Sequence, residues 1–293
     1  MSEAHLSTQT GLAPAFQAWE MFLYDQGRSP NTVKAFLSDV RLLAVYLPPD
    51  ILLGDITTTD INNFLHWMEH ERGVPCSPKS LARRATSVKS FFRWLQKGGV
   101  LVVDPAEKVV QRSVLSPIPE VLTDDEIDAV LLAADRYRRQ PKPDARPYTL
   151  LALLLSTGIK KSECLGINVN HVDQDDPEGP VVFIRYASPA NRYKERKLTL
   201  SEEWLPAYEE YLAQYNPPDR LFPWSPRRLE YLLEDIGRDA GLTKHLSFDM
   251  CRWTSVLQDY VNNIEHDKIR QKLGISRIQW REINMKLRQL AGQ

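Results

Sequence analysis

Apolar residues recur at steps of three and four through most of the 293-residue chain, the period of helices with one buried face. Phe16, Trp19, Phe22 and Leu23 form the first stripe. Ser29-Pro30-Asn31-Thr32 supplies a turn with cap residues, and Val33, Phe36, Leu37, Val40, Leu43 and Leu47 follow on one helical face until Pro48 and Pro49 stop it. Thr57 to Asp60 caps a third helix carrying Ile61, Phe64, Leu65 and Met68. A fourth, from Pro78, is expected to bury Leu81, Ala85, Val88 and Phe92 and to turn Arg83, Arg84, Ser87 and Ser90 the other way. Gly98, Gly99 and Asp104-Pro105 close this unit.

The pattern then changes. Residues 111–120, with Pro117 and Pro119, read as an extended linker, and Leu122-Thr123-Asp124-Asp125-Glu126 is a helix start. Residues 136–146 are basic, contain prolines and read as a loop, followed by an apolar helix over 148–156. Residues 181–186 and 197–200 alternate like strands around a loop at 188–196. Helices resume at 202–215 and 225–240, and a final group opens at Asp249-Met250-Cys251-Arg252-Trp253-Thr254, passes Leu273-Gly274 and ends in a helical tail. The expected fold is mainly α with a small antiparallel sheet. Its parts are a loose arm at 1–12, a helical domain at 13–110, a linker at 111–120 and a second domain at 121–293.

Composition narrows the class only a little. Thirty-seven basic residues balance 38 acidic ones for a net charge of −1, so any surface for a polyanion must be local. Three scattered cysteines (Cys76, Cys164, Cys251) form no C-x-x-C pair and fit a reducing, cytoplasmic setting, and no apolar run is long enough for a membrane. His66-Trp67-Met68-Glu69-His70 fits the H-x-x-E-H zinc-peptidase pattern but has no acidic third ligand in a matching context, so two surface histidines are the better account. No metal and no cofactor are expected.

The frame at 246–284 resembles the C-terminal core of the tyrosine recombinase (phage integrase) family. There an H-x-x-R-H-T motif leads to L-G-H and, nine residues on, to a nucleophilic tyrosine. Further segments resemble the family in the same order. Gly27-x-Ser29-x-Asn31-Thr32, Ile56-Thr57-x-x-Asp60-Ile61, Phe91-Phe92-Arg93-Trp94-Leu95 and Asp104-Pro105-Ala106 are similar to its DNA core-binding domain. Thr157-Gly158-Ile159-Lys160-Lys161-Ser162-Glu163-Cys164-Leu165 is similar to the segment carrying its first catalytic arginine, and Lys194-Glu195-Arg196 to the strand-loop-strand carrying its lysine. The resemblance implies a SAM-like core-binding domain followed by an integrase-type catalytic domain.

Its chemistry is transferred residue by residue with one retention. The family attacks a phosphodiester with tyrosine while two arginines grip the phosphate, a lysine protonates the leaving oxygen and histidines manage protons. Here Lys160 stands at the first arginine, keeping the charge without the planar fork. Asn191 stands at the lysine, with Arg192 and Lys194 beside it and Lys194 a candidate shifted acid. Asp249 stands at the first histidine, three residues from Arg252 and within helical reach of pairing with it. Trp253 follows, Ile275 replaces the L-G-H histidine, and Asn284 replaces the tyrosine. Arg252 alone is kept.

The resemblance therefore implies a DNA-binding recombinase relative that has lost strand cleavage and joining, with Arg83, Arg84, Lys89, Lys160, Arg192, Lys194 and Arg252 as phosphate contacts. Double-stranded DNA is the expected partner, in company with an active tyrosine recombinase. Ile283, Leu287 and Leu290 at helical spacing fit either self-association through the tail or packing on its own domain. Two rivals are an active recombinase with an atypical nucleophile, such as Ser276 or a partner's tyrosine, and a protein-interaction scaffold that does not bind DNA.

Overall fold

A computed structural model describes residues 6–110 and 117–292. It divides into two compact units, residues 1–116 and 117–293. The expected linker falls partly at 111–116, and residues 1–5 begin the expected arm; both lie outside the described residues.

The first unit is four helices: α1 (Leu12–Asp25), α2 (Pro30–Tyr46), α3 (Thr58–His70) and α4 (Pro78–Lys97). Capping chemistry starts three of them. Ser29 and Ser77 accept the backbone N–H of Thr32 and Ser80, each with proline in the first turn, and Thr57 and Asp60 form a reciprocal capping box. Trp19, Phe91, Phe92, Phe64 and Leu43 lie in the core, with Phe91 edge-on to both Phe16 and Trp19. The arm expected to be loose is held where it is described. Leu53 and Gly54 donate their N–H groups to the carbonyls of Thr10 and Thr8. A side chain on Gly54 would sit 2.8 Å from Thr8 Cβ.

The second unit contains α5 (Asp124–Arg138), α6 (Arg146–Thr157), the single turn α7 (Lys161–Cys164), β1 (Val172–Asp173), β2 (Val181–Ile184), β3 (Arg196–Thr199), α8 (Trp204–Tyr215), α9 (Pro226–Asp239), α10 (Phe248–Val261), α11 (His266–Leu273) and α12 (Arg277–Leu290). The strands form one antiparallel sheet in the order β1-β2-β3, with Val182 opposite Leu198 and Ile184 opposite Arg196. The mainly α fold with a small antiparallel sheet is as the sequence pattern predicts. The apolar helix α6 is the hub, packed against α5, α8, α9 and α10, with Leu150, Leu151 and Leu153 fully buried.

A smaller cluster joins the last three helices: Val256 of α10, Ile269 and Leu273 of α11, then Ile275 and Leu287, with Ile283 against them. Of the tail stripe, Ile283 and Leu287 thus pack on their own domain, while Leu290 stays half-exposed. Leu287 is completely buried, which removes it from a surface for self-association. No described helix is long and apolar enough to cross a membrane.

Candidate functional site

Two glycines at helix ends shape the site in the second unit. Gly158 ends α6 and Gly274 ends α11, both in the left-handed region (φ 60° and 59°). At Gly274 a Cβ would lie 2.6 Å from Arg196 Nη1 and 3.0 Å from its Cζ, so the Leu273-Gly274 dipeptide is required by the arginine packed over it. The helix ends also expose carbonyls. Arg252 donates through Nη1 to the Gly158 carbonyl and through Nη2 to that of Leu273 (3.2 Å). Arg196 donates through Nε to the Lys272 carbonyl (2.6 Å).

Arg196 is also balanced by a carboxylate. Its Nη1 and Nη2 each lie 3.0 Å from Glu163, whose side chain is almost wholly buried. Glu163 further accepts the Lys160 backbone N–H (2.9 Å) and the Tyr186 hydroxyl. Burial alone would raise the Glu163 carboxyl, but Arg196 and these donors overcome it and hold it at about 2. Burial and then the Glu163 carboxylate push the Tyr186 hydroxyl up to about 12, against the opposing pull of Arg196.

Among the described residues, Arg252 and Lys160 have no carboxylate in ion-pair contact, though the Glu163 charge acts on both. Burial pulls Arg252 down to about 10. Lys160 is lowered by burial and then by the neighbouring Arg252 charge. Both line a cavity of about 260 Å³ together with Asp249, Trp253, Ile275 and Lys286. The pairing expected between Asp249 and Arg252 does not form among the described residues. Asp249 is exposed on the first turn of α10 while the guanidinium turns to the fixed carbonyls of Gly158 and Leu273. Asn284 is on α12, with its side-chain oxygen shut away from solvent and unpartnered. Trp253 carries the Lys286 ammonium over its ring at 5.7 Å.

On the β2–β3 loop, Lys194 Nζ donates to Asn191 Oδ1 (2.8 Å) and lies 5.1 Å from the exposed Tyr193 ring. Arg192 is exposed beside it. Asn191 thus orients a cation but supplies none. The arrangement gathers cationic side chains around one cavity, and Asn284 presents no hydroxyl or thiol.

In the first unit the expected outward face of α4 is partly turned inward. Buried Asp39 of α2 draws Arg83 and Ser87 to one carboxylate oxygen, with Arg84 Nε 3.8 Å from the other. Ser87 is completely buried, and Lys89 Nζ is spent on the Val109 carbonyl (2.6 Å). Burial raises the Asp39 carboxyl despite Ser87 and the arginines. Arg83 keeps 44% side-chain exposure, Arg84 only 15%. The exposed basic face instead runs through Lys79, Arg83, Arg93 and Lys97. Sequence reasoning missed Lys79, Arg93 and Lys97, though their spacing with Arg83 is helical. It also did not single out Asp39 or Lys286, and it named Glu163 and Arg196 in separate motifs without their pairing.

The His66 and His70 rings lie with centroids 4.7 Å apart, tilted by 49°, and His66 meets Glu71 at 3.0 Å. No group of three or more side chains suited to a metal occurs among the described residues.

The phage integrase N-terminal SAM-like domain matches residues 16–99, and the phage integrase family matches residues 120–283, ending one residue before Asn284. A tyrosine recombinase XerC of Mycobacterium tuberculosis (strain ATCC 25177 / H37Ra) is 32% identical over 148 residues, 50% of this chain and 49% of that protein. A tyrosine recombinase XerD of Listeria innocua serovar 6a is 26% identical over 195 residues, 67% of this chain and 62% of that protein. The matched stretch spans about half the length of the curated XerC relatives.

Among solved structures, the XerH site-specific recombinase bound to palindromic difH substrate in a post-cleavage complex aligns with a TM-score of 0.73 at 15% identity, over 98% of this chain and 91% of that one. A lambda integrase tetramer bound to a Holliday junction aligns with a TM-score of 0.72 at 16% identity, over 94% and 77%. At such identities these likenesses speak for the fold. With the family match covering more than half of the chain, this protein belongs to the phage integrase family of tyrosine recombinases.

Proposed function

We propose that this chain binds duplex DNA through its phosphates and does not itself cut the strand. The observation that carries this reading is Asn284. At the register of the family's tyrosine stands an amide, which is not a phosphoryl nucleophile. Asp249 adds to this, because a carboxylate at the rim of the cavity opposes the negative charge of a phosphoryl-transfer transition state.

Binding and chemistry draw on different groups, so losing one need not remove the other. The phosphate contacts we assign are Lys160 and Arg252 in the cavity, Arg192 and Lys194 on the β2–β3 loop, and Arg83 with Arg93 and Lys97 on the exposed face of α4. Arg84 and Lys89 leave the set because each is spent inside its own unit. The solved neighbours include recombinases in complex with DNA, in keeping with this reading. The cleavage step would belong to an active recombinase acting on the same DNA.

The test is a titration of labelled duplex at two salt concentrations, with a denaturing gel of the same samples. Binding that falls steeply with salt, without a covalent adduct, is expected. An adduct would show a nucleophile elsewhere, and no binding at either salt would favour a scaffold.

A further inference from the structure

We infer that the cavity between α10 and α12 is a three-cation phosphate site, and that its third cation is Lys286 of the tail helix. The inference deepens the DNA-phosphate reading above and rests on it for the physiological ligand. Its geometry comes from the cavity itself.

Gln279, Glu282, Ile283 and Lys286 of α12 form one helical stripe lining the cavity opposite Lys160 and Arg252. The Lys286 side chain is only 14% exposed, with its ammonium over the Trp253 ring. Its ion-pair partner, Glu282 Oε1 at 3.2 Å, is 61% exposed on the side chain, and such a pair is weak. Among the described residues, Glu282 and the Trp253 ring are the contacts of its ammonium.

Three cationic side chains line one partly desolvated space, with the carboxylates of Asp249 and Glu282 at exposed positions, so an anion that enters gains attraction from all three. Arg252 is fixed to two carbonyls and cannot turn away. The space suits one tetrahedral oxyanion with some water. Lys286 thereby restores, from α12, a cation that Asn191 does not provide on the β2–β3 loop. It acts as a binding group, with Trp253 as its positioning residue.

The experiment uses the full chain and inorganic phosphate at constant ionic strength, following the Trp253 indole N–H resonance, assigned with W253F. A parallel arm measures duplex affinity against salt. Saturable phosphate binding by the wild type is expected. K286M should weaken it about tenfold, about 1.4 kcal/mol, and reduce the DNA salt slope by about one. K286R should retain binding, and E282Q should tighten it. Comparable thermal midpoints for K286M and K286R remove misfolding as an explanation.

No saturable phosphate binding by the wild type overturns the site. Equal phosphate affinity and equal salt slope for K286M and wild type overturn the role of Lys286. Lys286-dependent phosphate binding without DNA binding at any salt sinks the DNA reading and leaves the phosphate site standing.

Discussion

Arg196 and Arg252 are neighbours in the second unit, and both take carbonyls from the end of α11. Arg196 also has a buried carboxylate in bidentate contact, and that carboxylate is itself saturated by the Lys160 N–H and the Tyr186 hydroxyl. Among the described residues Arg252 hydrogen-bonds to carbonyls and feels the Glu163 charge only at a distance, and it lines a cavity with Lys160 and Lys286. A satisfied buried pair fixes geometry, whereas an unbalanced cation awaits a ligand. Glu163 and Arg196 thus belong to the scaffold, whereas the proposed function gives Lys160 and Arg252 to phosphate binding.

The largest expected effect breaks the balanced member. E163Q leaves Arg196 buried without its counter-charge and should cost about 3–5 kcal/mol in urea unfolding. A loss below about 1 kcal/mol would show the pair is well replaced by water. Acid should reveal the same group. Its folded pKa is lowered to about 2, against an ordinary carboxyl near 4.5. Its contribution is therefore present above about pH 4.5 and lost as pH falls toward 2, roughly 3 kcal/mol across that window. E163Q should flatten the fall of stability in this range, and an unchanged profile would assign acid unfolding to other carboxyls.

The unequal legibility of these regions has a physical basis. Helical stripes fix which faces are buried, so the buried apolar face of α2 follows from spacing, whereas α4 also buries Ser87, which spacing turns outward. The Leu273-Gly274 motif was visible, but its reason, the Arg196 guanidinium 2.6 Å from any added Cβ, joins residues far apart in sequence. Asp39 shows the same limit. It is four residues from Leu43 and next to Val40, yet nothing local announces that Arg83 and Ser87 cross over to it. The expected Asp249–Arg252 pair failed because helical proximity at three residues competes with fixed carbonyls at two helix ends, and the carbonyls won. The β2–β3 alternation was readable; the place of Lys286 over Trp253 was not, because it depends on where α12 docks.

A smaller effect concerns Asn284. Its side-chain oxygen is enclosed and unpartnered, while Ile283 and Leu287 on either side join the apolar cluster. An unmet buried acceptor costs about 1–3 kcal/mol. N284L should therefore raise stability by about 1 kcal/mol or more, without altering phosphate binding in the Lys286 cavity. A lower thermal midpoint would mean that the amide has a partner, such as an enclosed water.

The smallest effect sets the control for charge itself. Lys161, next in sequence to Lys160, pairs with Glu230 at 2.6 Å, but both side chains are about 40% exposed. Solvent screens such a pair, and its expected contribution is below about 1 kcal/mol. E230Q should leave urea unfolding within about 0.5 kcal/mol of wild type. It should nevertheless release Lys161 as a free cation beside the cavity wall shared by Lys160 and Arg252. The variant is thus expected to strengthen duplex binding at low salt and to lose that advantage at high salt. Equal gains at both salts would point to a changed shape of the site, and a large stability loss would place this pair with Glu163 and Arg196.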